Sequence, residues 1–398
     1  MGVTPDIIAS LVLQEYDKLP VKRKPPVRDN GIHEWVPLSG IVAELRGNDL
    51  RCLSLATGMK CLPQAKLPLA RGNVLHDWHA EVLAIRAFNR FVLDECKFLA
   101  EGGPEAESLF LRRRHVDELQ ELATATTPWC GQPFAWRDDV KLHMRRRIYG
   151  TNHGRTSRRT PWELPSPVVS PPNISDLDSA AADAAAALSS LPGRTYFQHL
   201  GIVRRKPARG DAPATLSKSC SDKLALRQCT SLLSSTASLL VSPTHAYLST
   251  LILPASQYSA TGCERAFSGR GRMAAVKEKI DQQHGGYRFA PFRVDTTDLE
   301  FAFSRRGVTN RLAREGAAAA AAVAAAADKI AASNLAVAWT ASGLEEASLG
   351  GTLQGRKLFD PRGASFASRR KMWVLAVEIA SMLGAGLVGI QKTLEVQN

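Results

Sequence analysis

A long amphipathic helix set among short apolar strands most limits what this chain can fold into. Residues 80–99 carry large apolar side chains at helical spacing, and residues 5–17 and 222–240 show the same period. Strand-like runs lie between these helices, at WVPLSGIVAEL, LRCLSLATG, VKLHM and AYLSTLIL. This mixed order predicts an α/β (α+β) fold, with a mixed central sheet flanked by helices.

Two low-complexity segments interrupt this pattern. Residues 160–193 begin rich in proline and continue rich in alanine, and residues 312–332 are mostly alanine. Alanine favours helix but offers no large side chain to a core. Both segments are therefore predicted to be surface insertions in a single domain that spans residues 1–398.

The charge balance predicts a polyanionic partner. The chain has 51 Lys and Arg against 38 Asp and Glu, a net charge of +13, with a pI of about 9.6. The basic residues gather in four groups: Lys141 with Arg145–Arg147; Arg155, Arg158 and Arg159; Arg204, Arg205, Lys206 and Arg209; Arg265, Arg270 and Arg272. RNA fits such clusters through its phosphates, and solvated loops are the alternative.

The cysteines and the hydropathy pattern indicate an intracellular protein. Seven cysteines are scattered without paired spacing, which argues against a secreted disulfide framework. The chain has no apolar run of about eighteen residues and no signal-peptide cleavage site. We expect a nuclear or cytoplasmic location and no membrane partner. The sequence gives no evidence of a protein partner.

His79 and Glu81 open the predicted helix in LHDWHAEVLAIRAFNRFVL and form a candidate catalytic pair. Catalytic zinc binds imidazole and thiolate ligands, keeps one position open and lowers the pKa of a bound water. If His79 is a zinc ligand, Glu81 lies beside the metal, where it could carry protons between the zinc-bound water and a substrate nitrogen. An ordinary polar helix start is the alternative interpretation of the triplet.

Cys220, in KSCSDKLALRQ, is the candidate thiolate. It precedes a helix whose free N–H groups favour a thiolate, and Lys218 and Lys223 add positive charge at the same end. The alternative role for such a cysteine is that of a small buried hydrophobe. No His-Glu-x-x-His occurs in the chain, so a metalloprotease is not predicted.

Five motifs, LHDWHAE, LSKSCSDKLALRQ, SGIVAE, ATGMKCLP and SQYSATGCERAFSGR, closely resemble the adenosine-to-inosine editase family, in particular tRNA-specific adenosine deaminases with only the catalytic domain. The resemblance implies a zinc deaminase fold, with His79 and Cys220 as zinc ligands and Glu81 as the catalytic proton carrier. The implied reaction is hydrolysis of adenosine to inosine in tRNA, at the adenosine next to the anticodon of alanine tRNA.

The resemblance also implies inositol hexakisphosphate as a structural cofactor. Arg86 and Lys223 stand at the positions of two of its ligands, although both could be ordinary solvated cations. Lys60, in ATGMKCL, stands where the family contacts the substrate nucleotide.

The sequence departs from the family at the third zinc ligand, the cysteine of a Pro-Cys-Gly-Asp motif after a strand like VKLHM. Here VKLHM is followed by RRRIYGTNHGRTSRRTPWELP, which has no cysteine. Cys130 lies before the strand, and His143 and His153 are weaker candidates. Either a mispredicted exon boundary or frameshift has replaced the family segment at residues 145–159, or the chain is a true variant that has lost its site.

Three functions are therefore compared. The first is the zinc-dependent tRNA adenosine deaminase. The second is a catalytically inactive tRNA- or RNA-binding member of the same fold, which predicts binding without inosine formation. The third, a deaminase of free nucleosides, leaves the net charge of +13 unexplained.

Overall fold

The structure is a computed structural model that describes residues 2–115, 118, 132–146, 205–206, 212–282, 286–315 and 329–383. The predicted insertion at residues 160–193 lies outside these ranges, as do Cys130 and His153.

The described residues contain a large mixed sheet and a small second sheet. The strands are β1 (Leu38–Glu44), β2 (Leu50–Thr57), β3 (Leu111–Arg113), β4 (Phe134–Trp136), β5 (Lys141–Arg145), β6 (Val241–Ser242), β7 (Leu248–Pro254), β8 (Arg293–Thr297), β9 (Leu335–Thr340), β10 (Glu345–Leu349) and β11 (Thr352–Leu353). The large sheet has the order β11-β10-β9-β2-β1-β5-β7-β8, and the small sheet has the order β3-β4-β6. All four strand-like runs of the sequence form strands of the large sheet.

Strand direction changes part-way across the large sheet. The pairs from β11 to β5 are antiparallel, whereas β5 pairs with β7, and β7 with β8, in parallel. Parallel neighbours need a long crossover, and the chain between β5 and β7 includes the segment that carries Cys220. The helix that begins at Cys220 contacts the helix that begins directly after His79.

The helices are α1 (Pro5–Asp17), α2 (Leu67–Ala70), α3 (Ala80–Glu101), α4 (Cys220–Thr230), α5 (Ala260–Phe267), α6 (Lys277–Asp281), α7 (Arg305–Glu315) and α8 (Arg369–Met382). The helix predicted at residues 5–17 is confirmed with the same bounds. It begins where the Thr4 side chain accepts a hydrogen bond from the amide of Ile7 and where Pro5 occupies the first turn. The helix predicted at residues 80–99 is also confirmed, with two further residues at its carboxyl end.

Helix α3 covers one face of the large sheet. Its Leu83 and Phe88 are buried in the same apolar core as Ile41 of β1 and Leu53 of β2. Helix α8 also packs against α3. The residues at the start of α3, His79 to Glu81, are buried, so the helix begins in the interior.

Helix α1 covers the opposite face. Its Val12 and Tyr16 share a second core with Leu38 and Val42 of β1. Gly40 permits the close approach, since a Cβ there would lie 2.6 Å from a methyl carbon of Val12. The predicted mixed sheet flanked by helices is thus confirmed.

The helix predicted at residues 222–240 is wrong at its carboxyl end. Helix α4 stops at Thr230, because Ser231 takes a left-handed φ of 56°. The amide of Leu232 then bonds to the carbonyl of Ala246, and the buried side chain of Asn89 donates to the carbonyl of Leu232. The apolar residues that follow fill the core without continuing the helix.

The predicted alanine-rich insertion at residues 312–332 overlaps the fold at both ends. Residues 312–315 form the last turn of α7. At the other end Ile330 is buried, and the carbonyl of Ala331 accepts a hydrogen bond from the amide of Trp35. Residues 316–328 lie outside the described ranges.

Among the described helices, none has both the length and the apolar character needed to cross a bilayer.

Candidate active site

The amino-terminal end of α3 holds the two residues of the predicted catalytic pair. His79 is the N-cap residue, with extended backbone angles, and Glu81 lies in the first helical turn. Their relative exposures are 8% and 2%. Because α3 starts in the interior, a carboxylate and an imidazole are placed together away from bulk water.

A short backbone ladder runs beside this helix start. The amide of Ala80 donates to the carbonyl of Gly58 at 2.9 Å, and the amide of Trp78 donates to that of Lys60 at 3.0 Å. Cys61 consequently pairs with Asp77 across an antiparallel bridge. Gly58 has a φ of 137°, and a Cβ there would lie 2.1 Å from the carbonyl oxygen of Trp78. The ladder therefore requires glycine at residue 58.

Three side chains of metal-binding type converge on this ladder. Nδ1 of His79 lies 2.8 Å from Oδ1 of Asp77 and 3.5 Å from Sγ of Cys61. The ligand atoms of Cys61, Asp77 and His79 all lie within 4.8 Å of one another. Imidazole nitrogen, thiolate sulfur and carboxylate oxygen are the donors that zinc accepts in proteins, so the chemistry of this group fits zinc.

Asp77 is the centre of a buried hydrogen-bond network. Its Oδ1 accepts from the amide of His79 at 3.0 Å, and its Oδ2 accepts from Nζ of Lys206 at 2.9 Å. Lys223 and the hydroxyl of Ser217 also donate to Oδ2. Burial would raise the pKa of Asp77, but Lys206, His79 and Lys223 together hold that pKa well below its usual value. Asp77 is therefore a carboxylate that fixes the ring of His79 and anchors two lysines.

The carboxylate of Glu81 faces positive groups. Burial acts to raise the pKa of Glu81, whereas Arg146, Lys206, His79 and a hydrogen bond with Cys220 lower it, with a net lowering. Nη2 of Arg146 lies 3.5 Å from Oε1 of Glu81. The Glu81 carboxylate is thus ionised and able to accept a proton.

Cys220 is the first residue of α4. The hydroxyl of Ser219 caps this helix by accepting from the amide of Asp222 at 3.1 Å. Burial and the nearby Glu81 raise the pKa of the thiol well above its usual value, while Lys206 opposes the shift. Cys220 is not a member of the close group formed by Cys61, Asp77 and His79, although the charge of Glu81 acts on its thiol.

Positive side chains surround the outer side of this network. The guanidinium of Arg86 donates to the carbonyl of Ala367 through Nε, at 2.8 Å. Burial and the neighbouring charge of Arg369 lower the pKa of Arg86 to about 10, and Arg227 contributes in the same direction. The pKa of His76 is lowered by partial desolvation and then by Arg369, Arg86 and Lys223. The structure therefore brings Arg86 and Lys223 into one positively charged group.

Lys60 lies on the surface beside the buried group. Its Nζ donates to the side-chain oxygen of Asn334, and both residues are exposed. Lys60 is carried by the same ladder as Cys61, so its position relative to His79 is fixed by the backbone.

Comparison with known proteins identifies the family. Residues 54–125 match the adenosine-deaminase (editase) domain. The tRNA-specific adenosine deaminase 1 of Schizosaccharomyces pombe is 34% identical, over 75% of this chain and 70% of that protein. Its namesake in Saccharomyces cerevisiae is 32% identical, over 57% of this chain and 52% of that protein. The chain belongs to the tRNA-specific adenosine deaminase family. A Drosophila melanogaster protein of the same name is 31% identical, over 55% of this chain and 47% of that protein.

The stretch that matches the deaminase domain contains Cys61, Asp77, His79, Glu81 and Arg86. The predicted membership of the editase family is confirmed. The individual roles of these residues in the deaminase stay predictions.

Some residues singled out in the sequence lie elsewhere. Nε2 of His143 lies 2.9 Å from Oε2 of Glu44, and His143 does not belong to the group around His79. Arg145 and Arg146, predicted as phosphate contacts, are each 1% exposed. Arg272 is partly buried, in an ion pair with Asp222 whose nitrogen and oxygen lie 2.7 Å apart. Arg145 and Arg146 are thus corrected from surface contacts to interior residues, and Arg272 is corrected to a cation already paired with an acid.

The sequence interpretation missed four residues of the site: Cys61, Asp77, Arg146 and Lys206. Asp77 stands two residues before His79, a spacing that places its carboxylate against the imidazole. The glycine at residue 58 indicates a turn, and this turn allows Cys61 to lie close to Asp77 and His79. Nothing in the sequence pattern indicated that Lys206 and Arg146 would turn inward.

Proposed function

We propose that this chain catalyses hydrolytic deamination of adenosine to inosine in tRNA, with a zinc ion held by His79 and Cys220. The observation that carries the proposal is the buried carboxylate of Glu81 at the start of α3, next to the imidazole of His79 and the thiol of Cys220. Together with the family, this arrangement supports base deamination over other zinc hydrolyses.

The protein groups have distinct tasks in this proposal. Zinc, when bound, supplies Lewis-acid activation of the water that replaces the amino group. Glu81 accepts the two protons of the water one after the other and passes one to the ring nitrogen N1 and the other to the departing amino group, so that the water oxygen replaces nitrogen at C6 and ammonia leaves. Asp77 holds His79 in place by accepting a hydrogen bond from its backbone amide. Burial of the site excludes other water from the reaction.

We further propose inositol hexakisphosphate as a structural cofactor, bound near Arg86 and Lys223. The charges of Arg369 and Arg227 both lower the pKa of the buried Arg86, and such repulsion between cations supports a polyphosphate there that would offset it. Lys223 also donates to Asp77, so the proposed ligand would connect directly to the residue that orients His79.

The surface of α7 supports tRNA as the partner. Among the described residues Arg306, Arg311 and Arg314 form no ion pair, and the guanidinium of Arg311 lies 5.5 Å from the ring centre of Phe303. In contrast, exposed cations such as Arg293 and Arg362 lie against acids. Unpaired like charges along one helix favour a phosphate backbone.

A series of hydrogen bonds connects the start of α7 with Lys60. The amide of Val36 donates to the carbonyl of Phe303, just before α7, and the amide of Ser333 donates to the carbonyl of Trp35. Asn334, the next residue, accepts from Lys60. The proposed substrate is the adenosine beside the anticodon of alanine tRNA, extruded towards Lys60 while α7 contacts the phosphates.

The test is inosine formation by the recombinant full-length chain on an alanine tRNA transcript. We expect inosine next to the anticodon, and a loss of rate of at least about 100-fold for Glu81→Gln. Unchanged tRNA binding by Glu81→Gln would separate the chemical role from a binding role. If the wild-type chain binds tRNA but forms no inosine, the inactive RNA-binding alternative replaces the proposal. A faster reaction on free adenosine than on tRNA would favour the nucleoside deaminase.

A further inference from the structure

We infer that Cys61 supplies the third protein ligand, a thiolate, to the zinc ion proposed for His79 and Cys220. The inference rests on the proposed zinc site and deepens it. It assigns the ligand for which the sequence after β5 offers no cysteine.

The donor types of the site support this assignment. Zinc deaminases that act on nucleobases hold the metal with one histidine and two cysteines, or with three cysteines. His79 and Cys220 leave such a set one thiolate short. Sγ of Cys61 lies 3.5 Å from Nδ1 of His79, and both atoms belong to the group whose ligand atoms lie within 4.8 Å. Cys61 therefore completes the donor composition from within the site.

The backbone holds Cys61 in this position without help from a metal. Gly58, Lys60 and Leu62 form backbone hydrogen bonds with residues 76–80, the segment that leads into α3. Cys61 consequently lies opposite Asp77, two residues before His79 on the facing segment. A ligand fixed by its own backbone loses little conformational entropy when a metal binds.

Asp77 is less suited to be the third ligand, although it lies closer to His79. Its Oδ1 already accepts from His79, and its Oδ2 already accepts from Lys206, Lys223 and Ser217. A ligating oxygen would have to give up part of this network. Zinc at Nδ1 of His79 would replace the proton that this nitrogen shares with Asp77, while Asp77 keeps its bonds with the His79 amide and the two lysines and so positions His79 from outside the metal.

The charges around Cys61 suit a metal-bound thiolate. Nζ of Lys206 donates to Oδ2 of Asp77 at 2.9 Å, and Asp77 pairs with Cys61 across the ladder, which places an ammonium group next to the proposed ligands. When zinc binds, each thiol releases its proton to solvent and the sulfur keeps the electron pair that forms the bond to the metal. The positive charge of Lys206 offsets part of the negative charge that two thiolates bring.

Cobalt substitution tests the inference without relying on activity. The full-length protein is stripped of metal and titrated with Co²⁺, whose thiolate charge-transfer absorption increases with the number of bound sulfurs. We expect the wild-type intensity of two thiolates, and a decrease to about half in Cys61→Ser and in Cys220→Ser. Cys229→Ser, another buried cysteine, is the matched control and should keep the full intensity.

Two further variants separate a ligand from an orienting residue. Asp77→Asn should weaken metal binding by about 10- to 100-fold while keeping the absorption of two thiolates. Cys61→His should bind the metal with the absorption of one thiolate. The thermal unfolding of metal-free Cys61→Ser, compared with that of the metal-free wild type, checks that the variant folds.

The outcomes distinguish this inference from the zinc proposal. If folded Cys61→Ser keeps the full two-thiolate absorption and affinity, Cys61 is not a ligand while zinc at His79 and Cys220 stands. If the wild type shows a single thiolate, lost in Cys220→Ser alone, the inference is likewise overturned. A wild type that binds no metal contradicts both proposals.

Discussion

The guanidinium of Arg146 lies 3.5 Å from the carboxylate of Glu81, and each side chain is 2% exposed. Arg146 follows β5, and Glu81 lies in the first turn of α3, so the pair connects the sheet with the helix that begins the site. Among the described atoms, Nε and Nη1 of Arg146 have no hydrogen-bond partner. The buried arginine is therefore compensated mainly by the Glu81 charge.

Removing one member of this pair should destabilise the fold. We expect Arg146→Leu to lower the free energy of unfolding by about 3 kcal/mol, at the low end for a broken buried pair, because Lys206 still faces Glu81. The double variant Arg146→Leu/Glu81→Gln should regain most of that loss, since neither charge then stays buried alone. Urea unfolding of the wild type, both single variants and the double variant measures the coupling. Strictly additive effects would show that the two side chains are independent.

The ladder at Gly58 gives a second prediction. Gly58→Ala places a Cβ 2.1 Å from the carbonyl oxygen of Trp78, at a φ of 137°, so the backbone must shift. We expect a loss of stability greater than about 2 kcal/mol and weaker metal binding, because Cys61 and His79 would move apart. Gly31→Ala is the matched control: Gly31 also has a positive φ, of 73°, but no atom lies within 4 Å of its Cβ position. It should lose only about 1 kcal/mol. Equal losses in the two variants would contradict the steric argument.

The helix starts that carry the candidate site residues were easier to predict than their surroundings. His79, Glu81 and Cys220 stand in short motifs whose local structure, a helix start, follows from the residues themselves. Arg145 and Arg146 were misassigned because a run of arginines normally indicates a solvated or phosphate-binding surface. Their burial depends on β5 lying between β1 and β7, a pairing between segments far apart in the chain. No local pattern encodes that position.

The arginines of α7 are a second case in which the sequence did not predict the surroundings of a basic residue. The sequence places acids and bases in order along the chain, but it does not show which cations meet an acid in space. Arg293 and Arg362 have aspartates two residues away that pair with them. Only the structure shows that no described acid lies within ion-pair distance of Arg306, Arg311 or Arg314.

Removing the charges of α7 should weaken tRNA binding. We expect the triple variant Arg306→Ala/Arg311→Ala/Arg314→Ala to reduce affinity most at low salt. The slope of log affinity against log salt should decrease by about 0.7 to 0.9 for each phosphate that the helix no longer neutralises. Titration of labelled tRNA at several salt concentrations measures both quantities.

The matched control for α7 removes the same number of positive charges elsewhere. The triple variant Arg51→Ala/Arg293→Ala/Arg362→Ala replaces arginines that already pair with Asp49, Asp295 and Asp360. It should change the salt slope little, because those cations are partly neutralised. If both triple variants lose the same affinity, net charge alone accounts for binding and α7 has no special part.

His143 should make stability depend on pH. It is 5% exposed, and it faces Glu44, Lys141 and Arg293. Burial lowers the pKa of His143 below its usual 6.5, although Glu44 opposes the shift. The folded protein therefore holds this imidazole neutral, whereas the unfolded chain takes up a proton near the usual pKa. Its contribution to stability is complete above that pKa and decreases as the pH falls below 6.5.

The Glu44 contribution lies in a lower pH window. The pKa of Glu44 is lowered from 4.5, because its bonds with Lys141 and His143 outweigh burial, so its stabilising effect is lost only at more acidic pH. Urea unfolding between about pH 5 and about pH 8 isolates the histidine window. We expect His143→Gln to flatten the decrease in unfolding free energy on the acidic side. The control His245→Gln, at an exposed histidine, should leave the profile of the wild type unchanged. An equal decrease in His143→Gln would assign the pH dependence to other groups.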